Sequence, residues 1–219
     1  MFTKLPMPRQ IDQIIIDELK ETCVSTLGHL QDYGFALGMV PNMKPLKFVG
    51  TAVTVRIPHL DSTAVHVAVD LLRPGDVLVI DQSGDHQRSC FGGLVSYTAK
   101  VRGAVGAVID GCINDHDETL EYDFPTLSRG YSPLTTRIIG IEGAINVPIS
   151  IGGAIVNPGD VVFADSDGVV FISPEEAINL GTLLKSKEDA EITARAAISE
   201  GGPLPNFQEL ANILRNDTK

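Results

Sequence analysis

The chain has no tryptophan, and aromatic residues of all kinds make up only 5% of its 219 residues. A core without tryptophan has to be packed by aliphatic side chains, and a hydrophobic content of 43% is enough to build one. Positive charge is also scarce. Lys and Arg number 17 against 28 Asp and Glu, a formal net charge of −11 with His neutral. With no basic stripe, binding to a nucleic-acid phosphate backbone is not expected. A small anion could still be held locally, by backbone N–H groups or by a metal ion.

Cysteine is sparse too. Cys23, Cys90 and Cys112 are an odd number with no CxxC pairing, so they read as reduced thiols and not as a disulfide framework or zinc site. No run approaches the roughly 18 apolar residues that a membrane span needs, and the opening MFTKLPMPRQ lacks the apolar segment of a signal peptide. Walker, GxGxxG and GxSxG motifs are missing. Charged residues, at 21%, are too few for a disordered chain. The expectation is a soluble, cytoplasmic protein, folded as one domain over residues 1–219, with neither a membrane nor a nucleic acid as partner.

What is present is a β-rich middle flanked by helices. Ile11, Ile14, Ile15 and Leu19 recur at helical spacing, and a second short helix fits Thr22 to Gly34. Val49–Ile57 is β-branched and reads as a strand, and Asp61–Leu72 returns to helical spacing. PGDVLVID at residues 74–81 is echoed by PGDVVFAD at 158–165, each a Pro-Gly turn feeding an apolar strand that ends on Asp. The echo is either a common turn used twice or two units in related places of one sheet. Gly92–Arg102 reads as a helix, Val105–Ile109 as a buried strand and Gly111–Glu118 as a loop. Strands are expected at Ile145–Ile149, Ala154–Val156, Val161–Ala164 and Val169–Ile172. Pro174 then opens a helix that runs from Glu175 to about Glu200.

Two segments carry the candidate chemistry. Gly92-Gly93-Leu94-Val95 opens a helix, where first-turn N–H groups lack intrahelical partners and the dipole favours negative charge. Glycines there let a ligand oxygen approach the backbone, although a plain tight turn would look the same. In the second, Ile109-Asp110-Gly111-Cys112-Ile113-Asn114-Asp115-His116-Asp117-Glu118, acidic residues follow a strand, a common setting for a hard cation such as Mg²⁺. Asp115 is the first choice of metal ligand. Asp117 and Glu118 read as a solvated helix start, and Asp110 as support for the turn.

On these residues the chain resembles the family of RraA proteins (regulators of ribonuclease E activity) and class II 4-hydroxy-4-methyl-2-oxoglutarate/4-carboxy-4-hydroxy-2-oxoadipate aldolases. The resemblance takes in Val49–Val55, Pro74–Asp81, Gly92–Gly93, Gly106–Gly111, Asp115, Phe124–Pro125, Val147–Pro148, Gly152–Gly153 and Pro158–Val170. It implies an α/β fold, a three-layer β/β/α swivelling-type domain, assembled as a homotrimer or a dimer of trimers. It also implies Mg²⁺ or Mn²⁺, or another divalent cation, held by Asp115, and backbone amides of Gly92, Gly93, Leu94 and Val95 that bind the carboxylate of a 2-oxo acid. Glu188 is the match for a glutamate contributed by a neighbouring subunit. The implied activity is a metal-dependent carbon–carbon lyase; a non-catalytic regulator that binds a larger protein is the alternative. Two positions depart from the family pattern: Asn114 stands where an Arg is usual, and Gly93 where the aldolases tend to carry an acid. An Asn amide still donates hydrogen bonds but brings no charge, so Asn114 is both a candidate substrate contact and the residue that could redirect the reaction.

Three other features are weaker. Asp165-Ser166-Asp167-Gly168 mimics the start of an EF-hand loop, but Val170 stands at the required Gly and a β-turn between strands fits better. His86 or Arg88 could reach the cleft and supply charge, or could belong to a polar loop. His29, His59 and His66 have no metal-ligand spacing, and Cys112 lacks the partners of a nucleophile.

Overall fold

Apolar residues on both faces of successive strands require a sheet covered on both sides. The computed structural model, which describes residues 1–216, has that arrangement. In chain order it begins with β1 (Phe2–Lys4), α1 (Gln13–Lys20), α2 (Val24–Gly28), β2 (Val40–Pro41), β3 (Lys47–Arg56), α3 (Thr63–Val69) and β4 (Asp76–Asp81). The middle holds β5 (Ser89–Phe91), α4 (Gly93–Val101), β6 (Gly106–Ile113), α5 (His116–Glu121) and β7 (Thr126–Tyr131). Then follow β8 (Gly143–Ile145), β9 (Ile149–Ile151), β10 (Ala154–Val156), β11 (Val161–Asp165) and β12 (Gly168–Ile172). Helices α6 (Pro174–Ala177), α7 (Leu180–Ser199) and α8 (Phe207–Asn216) close the described chain.

The main sheet runs β1-β8-β3-β4-β6-β7-β2, with β11 and β12 branching from the first half of β3. Strands β3, β4, β6 and β7 are parallel, whereas β8 and β11 meet β3 antiparallel. Alternation sorts the strand residues between two cores. Leu78 and Ile80 of β4 pack with Val55, Ile109 and Phe91 beneath α3 and α4. Val77 and Val79 face the other way, against Val108, Val162 and the β9–β10 hairpin. A third cluster seats α1, α2 and α7 on β11 and β12 through Leu19, Phe163, Val170 and Leu184. The result is the expected three-layer mixed α/β architecture. No described helix is long and apolar enough to cross a membrane.

The echoed Pro-Gly-Asp units flank β3 on opposite edges: Thr51 stands opposite Asp76 of β4 on one side and Val161 of β11 on the other. Ser166 and Asp167 form the turn of the β11–β12 hairpin, as expected in place of a calcium loop.

Several boundaries differ from the sequence reading. In α1, Ile16 is buried and Ile14 is 66% exposed, so the apolar face is rotated by about one residue from the spacing chosen. Strand β6 continues through Gly111 and Cys112 to Ile113 because β5 supplies a pairing partner there, with Ser89 opposite Cys112. The Ile145–Ile149 segment is broken, since Asn146 takes a left-handed conformation between β8 and β9. The C-terminal helix is also interrupted. Ser173 and Glu176 form a capping box on α6, Ile178 is extended and Asn179 is left-handed before α7 starts. Helix α8 has no counterpart in the sequence reading.

Candidate functional site

The site follows from how β6 is flanked. β4 and β5 share one edge of β6, one after the other, so the end of β5 lies beside the end of β6. Phe91 pairs with Ile113, and the Asn114 N–H donates to the Phe91 carbonyl at 3.1 Å. Both chains then turn into helices: Gly92 is the N-cap of α4 and Asp115 the N-cap of α5. The two glycines and the Asn-Asp pair, 22 residues apart in sequence, are thereby brought face to face.

Asp115 has φ 53° and ψ 46°, a left-handed conformation that Asp tolerates better than most residues. Its side chain does not cap its own helix. Instead, Oδ2 accepts the Gly93 N–H at 2.8 Å. That takes one of the first-turn donors of α4. The first i to i−4 bond of α4 is Ser96 N–H to Gly92 O, so the N–H groups of Leu94 and Val95 have no carbonyl four residues back in the helix.

At both glycines an added Cβ would press on the facing side chains. A Cβ on Gly92 would lie 2.6 Å from Asn114 Nδ2 and 2.6 Å from Asp115 Oδ2. A Cβ on Gly93 would coincide with the Glu118 carboxylate and sit 3.4 Å from Asp115 Oδ2. Glu118 also accepts from the Tyr122 hydroxyl at 3.2 Å. The acidic group at position 118, read from sequence as solvated helix start, therefore lies over the start of α4 beside Asp115. The Glu118 carboxylate occupies the space that a side chain at position 93 would enter.

A cleft of about 200 Å³ gathers Gly92, Gly93, Leu94, Val95, Asn114 and Asp115 with Ser62, His66, Ser89, Cys90, Thr135 and Thr136. Glu188 is not among them. It lies on α7, where Oε1 accepts the Cys23 N–H at 2.7 Å and the Thr26 hydroxyl at 2.7 Å, capping α2 of the same chain. His86 and Arg88 also point elsewhere. His86 Nε2 is 3.2 Å from Asp110, and Arg88 pairs with the buried Asp85 at 2.7 Å. Asp110 is more than a turn support. It accepts from Arg129 Nε at 2.6 Å and from the Gly152 N–H at 2.7 Å, tying β6 to the β9–β10 hairpin. Burial opposes ionisation of Asp110, but the Arg129 and Gly152 hydrogen bonds override it and hold the carboxyl below its ordinary range.

Neither buried thiol is activated by its surroundings. Burial pushes Cys90 up to about 12, and burial with the Asp85 charge raises Cys112, whose Sγ donates to the His86 carbonyl at 3.0 Å. Among the described residues no group of three His, Cys, Asp or Glu side chains is arranged to hold a metal. A hard cation such as Mg²⁺ needs fewer, since it commonly takes one or two carboxylates and keeps its waters. Asp115 is exposed, with Oδ1 making no hydrogen bond to a described residue, and Glu118 stands next to it, so the donor set fits that kind of ion.

A mixed sheet with a glycine-opened helix start facing an acidic loop at the parallel strand ends places the chain in the α/β class, in which ligand sites commonly lie at strand termini. Within it, this chain belongs to the RraA-like family (Aldolase/RraA), whose model matches residues 14–171. It is 37% identical over 166 residues to a Halalkalibacterium halodurans protein named "Putative 4-hydroxy-4-methyl-2-oxoglutarate aldolase", covering 74% of this chain and 79% of that one. Streptomyces coelicolor RraAS2, described as an unusual member of the RNase ES inhibitor RraA protein family, superposes with a TM-score of 0.76 at 27% identity, covering 87% and 98% of the two chains. An uncharacterized Pseudomonas syringae protein gives 0.78 at 26% identity, covering 90% and 97%.

Proposed function

We propose that the protein is a divalent-metal-dependent lyase that breaks a carbon–carbon bond in a pyruvate-like 2-oxo acid, by retro-aldol cleavage or decarboxylation. The observation that carries this reading is the 2.8 Å contact between the Asp115 carboxylate and the Gly93 N–H. It brings the Asp115 carboxylate and the Leu94 and Val95 N–H groups, which lack intrahelical partners, to one small cleft. The names of the aldolase relatives point the same way.

Asp115, with Glu118 beside it, would hold Mg²⁺ or Mn²⁺. When bound, such an ion acts as a Lewis acid and draws electron density toward the 2-oxo group. The chain's own residues do the rest. The Leu94 and Val95 N–H groups bind the substrate carboxylate at the positive end of α4. The Asn114 amide donates a hydrogen bond to a substrate oxygen, without the charge that an Arg would bring. Retro-aldol cleavage needs a base for the hydroxyl proton of the departing half, and Glu188 of a neighbouring copy would serve near the site. Leu94, Tyr97 and Val101 form an exposed apolar stripe along α4 beside the cleft, the surface that would meet a neighbouring copy in a homotrimer or dimer of trimers.

The test is pyruvate release from oxaloacetate and from 4-hydroxy-4-methyl-2-oxoglutarate, with Mg²⁺ and with chelator, for wild type, Asp115→Ala and Asn114→Arg. Metal-dependent release that Asp115→Ala abolishes supports the lyase. No metal-dependent turnover in any of the three sinks it and favours the second reading, a non-catalytic regulator binding a larger protein. Asn114 and the likeness to RraAS2 are the observations on that side.

A further inference from the structure

The part of the cleft lining formed by α3, β5 and segment 134–137 is a built surface. The segment 134–137 is hydrogen-bonded on both sides. Ser89 N–H donates to Leu134 O at 2.8 Å and Thr136 N–H to Ser89 O at 2.9 Å, while Ser62 N–H reaches Arg137 O at 2.8 Å. The buried Asp61 fixes the same corner, accepting the N–H groups of Thr63 at 2.9 Å and Ile141 at 2.6 Å. This part of the lining is therefore fixed by its own hydrogen bonds.

Most of the wall's hydroxyls are already used: Ser62 donates to Arg137 O and Thr136 to Ser89 O, each at 3.2 Å. Two polar groups are not. The His66 imidazole, on the exposed side of α3, and the Thr135 hydroxyl make no hydrogen bond to another described residue, yet both line the cleft. No Lys or Arg is among the residues that line it, so His66 is the one lining side chain able to carry positive charge. An imidazole keeps an N–H donor in either protonation state and gains charge when protonated.

We propose that His66, supported by Thr135, is a specificity-determining residue that receives the distal acidic group of a dicarboxylic 2-oxo acid. This rests on the 2-oxo acid reading above and extends it. The α4 amides and the Asp115 side hold the 2-oxo carboxylate end, and the substrate then reaches across the cleft to a wall whose free donors are His66 and Thr135. The free donors at His66 and Thr135 favour an acidic group at the far end of the ligand.

The experiment is calorimetric titration of the full protein, with Mn²⁺ present, using 2-oxoglutarate (two carboxylates) and pyruvate (one) as probes. The variants are His66→Gln and Thr135→Val, both at exposed positions, with thermal melting to check the fold. Wild type is expected to bind 2-oxoglutarate more tightly than pyruvate. His66→Gln should weaken 2-oxoglutarate about tenfold or more, the worth of one charge-assisted hydrogen bond, and leave pyruvate within about twofold. Thr135→Val should act in the same direction by less. Equal binding of the two probes by wild type, or equal weakening of both in His66→Gln, overturns the role of His66 while leaving the 2-oxo acid site standing. If neither probe binds wild type, the 2-oxo acid reading falls, and this proposal with it.

Discussion

Asp115 Oδ2 accepts the Gly93 N–H at 2.8 Å, fastening the loop after β6 to the first turn of α4. Asp115 gives up the capping of its own helix to make this contact, and its left-handed backbone aims it there. Asn at this position can still accept the N–H but has lost the charge. Asp115→Asn should therefore melt close to wild type while losing divalent-ion binding, and turnover should fall about 100-fold or more. Thermal melting paired with Mn²⁺ titration separates the two roles.

Gly92 is the steric counterpart of that contact. An added methyl would meet both side chains of the Asn114–Asp115 pair at 2.6 Å. Gly92→Ala should displace them and reduce Mn²⁺ affinity and turnover together, by about tenfold each, at a stability change of about 0.5 kcal/mol. Gly93→Ala meets chiefly the far end of Glu118, which can swing aside, and touches Asp115 Oδ2 at an ordinary 3.4 Å. Its effect should vanish in a Glu118→Ala background, a double-mutant cycle that reads the contribution of Glu118 directly.

Much of this was legible in the sequence. The Gly-Gly helix start, the strand that leads to Asp115 and the hairpin at Ser166–Asp167 all carry local signals: helix-opening glycines, a β-branched run, a turn residue pair. Glu118 and His66 were not legible. Glu118 looks like an ordinary first-turn acid, and its position over Gly93 arises only because β5 and β6 end side by side. His66 has no motif partner, and it joins the cleft because segment 134–137 bridges α3 to β5. The exposed Ile14 and the break at Asn179 have the same origin, since tertiary packing overrides local periodicity there.

Glu188 offers a separation of structure from chemistry. Its Oε1 caps α2 through Cys23 and Thr26. Gln keeps that acceptor, so Glu188→Gln should hold stability while Glu188→Ala loses about 1 kcal/mol in urea denaturation. If Glu188 also serves a neighbouring copy's site, Glu188→Gln should lower turnover at unchanged melting temperature. Unchanged turnover would restrict it to capping.

Asp61 makes stability acid-sensitive. Burial would raise its pKa, but hydrogen bonds from the Thr63 hydroxyl and from the N–H groups of Thr63, Ile139 and Ile141 outweigh that and hold the carboxyl far below the ordinary range. A depressed folded-state pKa contributes stability that is present above the unfolded value, about 4, and is lost as pH falls toward the folded one. Asp85 and Asp110 are lowered as well and add the same sign. Urea midpoints should fall steadily below about pH 4. Asp61→Asn should lose about 2 kcal/mol at neutral pH and show a flatter acid limb.

The central claim is that Asp115 and the α4 start form one site for a divalent ion and a 2-oxo acid. Mn²⁺ binding followed by electron paramagnetic resonance, with and without pyruvate, tests it most directly. The account predicts one Mn²⁺ per chain, tighter when pyruvate is present, with both binding and enhancement lost in Asp115→Ala. Undiminished binding in Asp115→Ala, or no response to pyruvate, would contradict it.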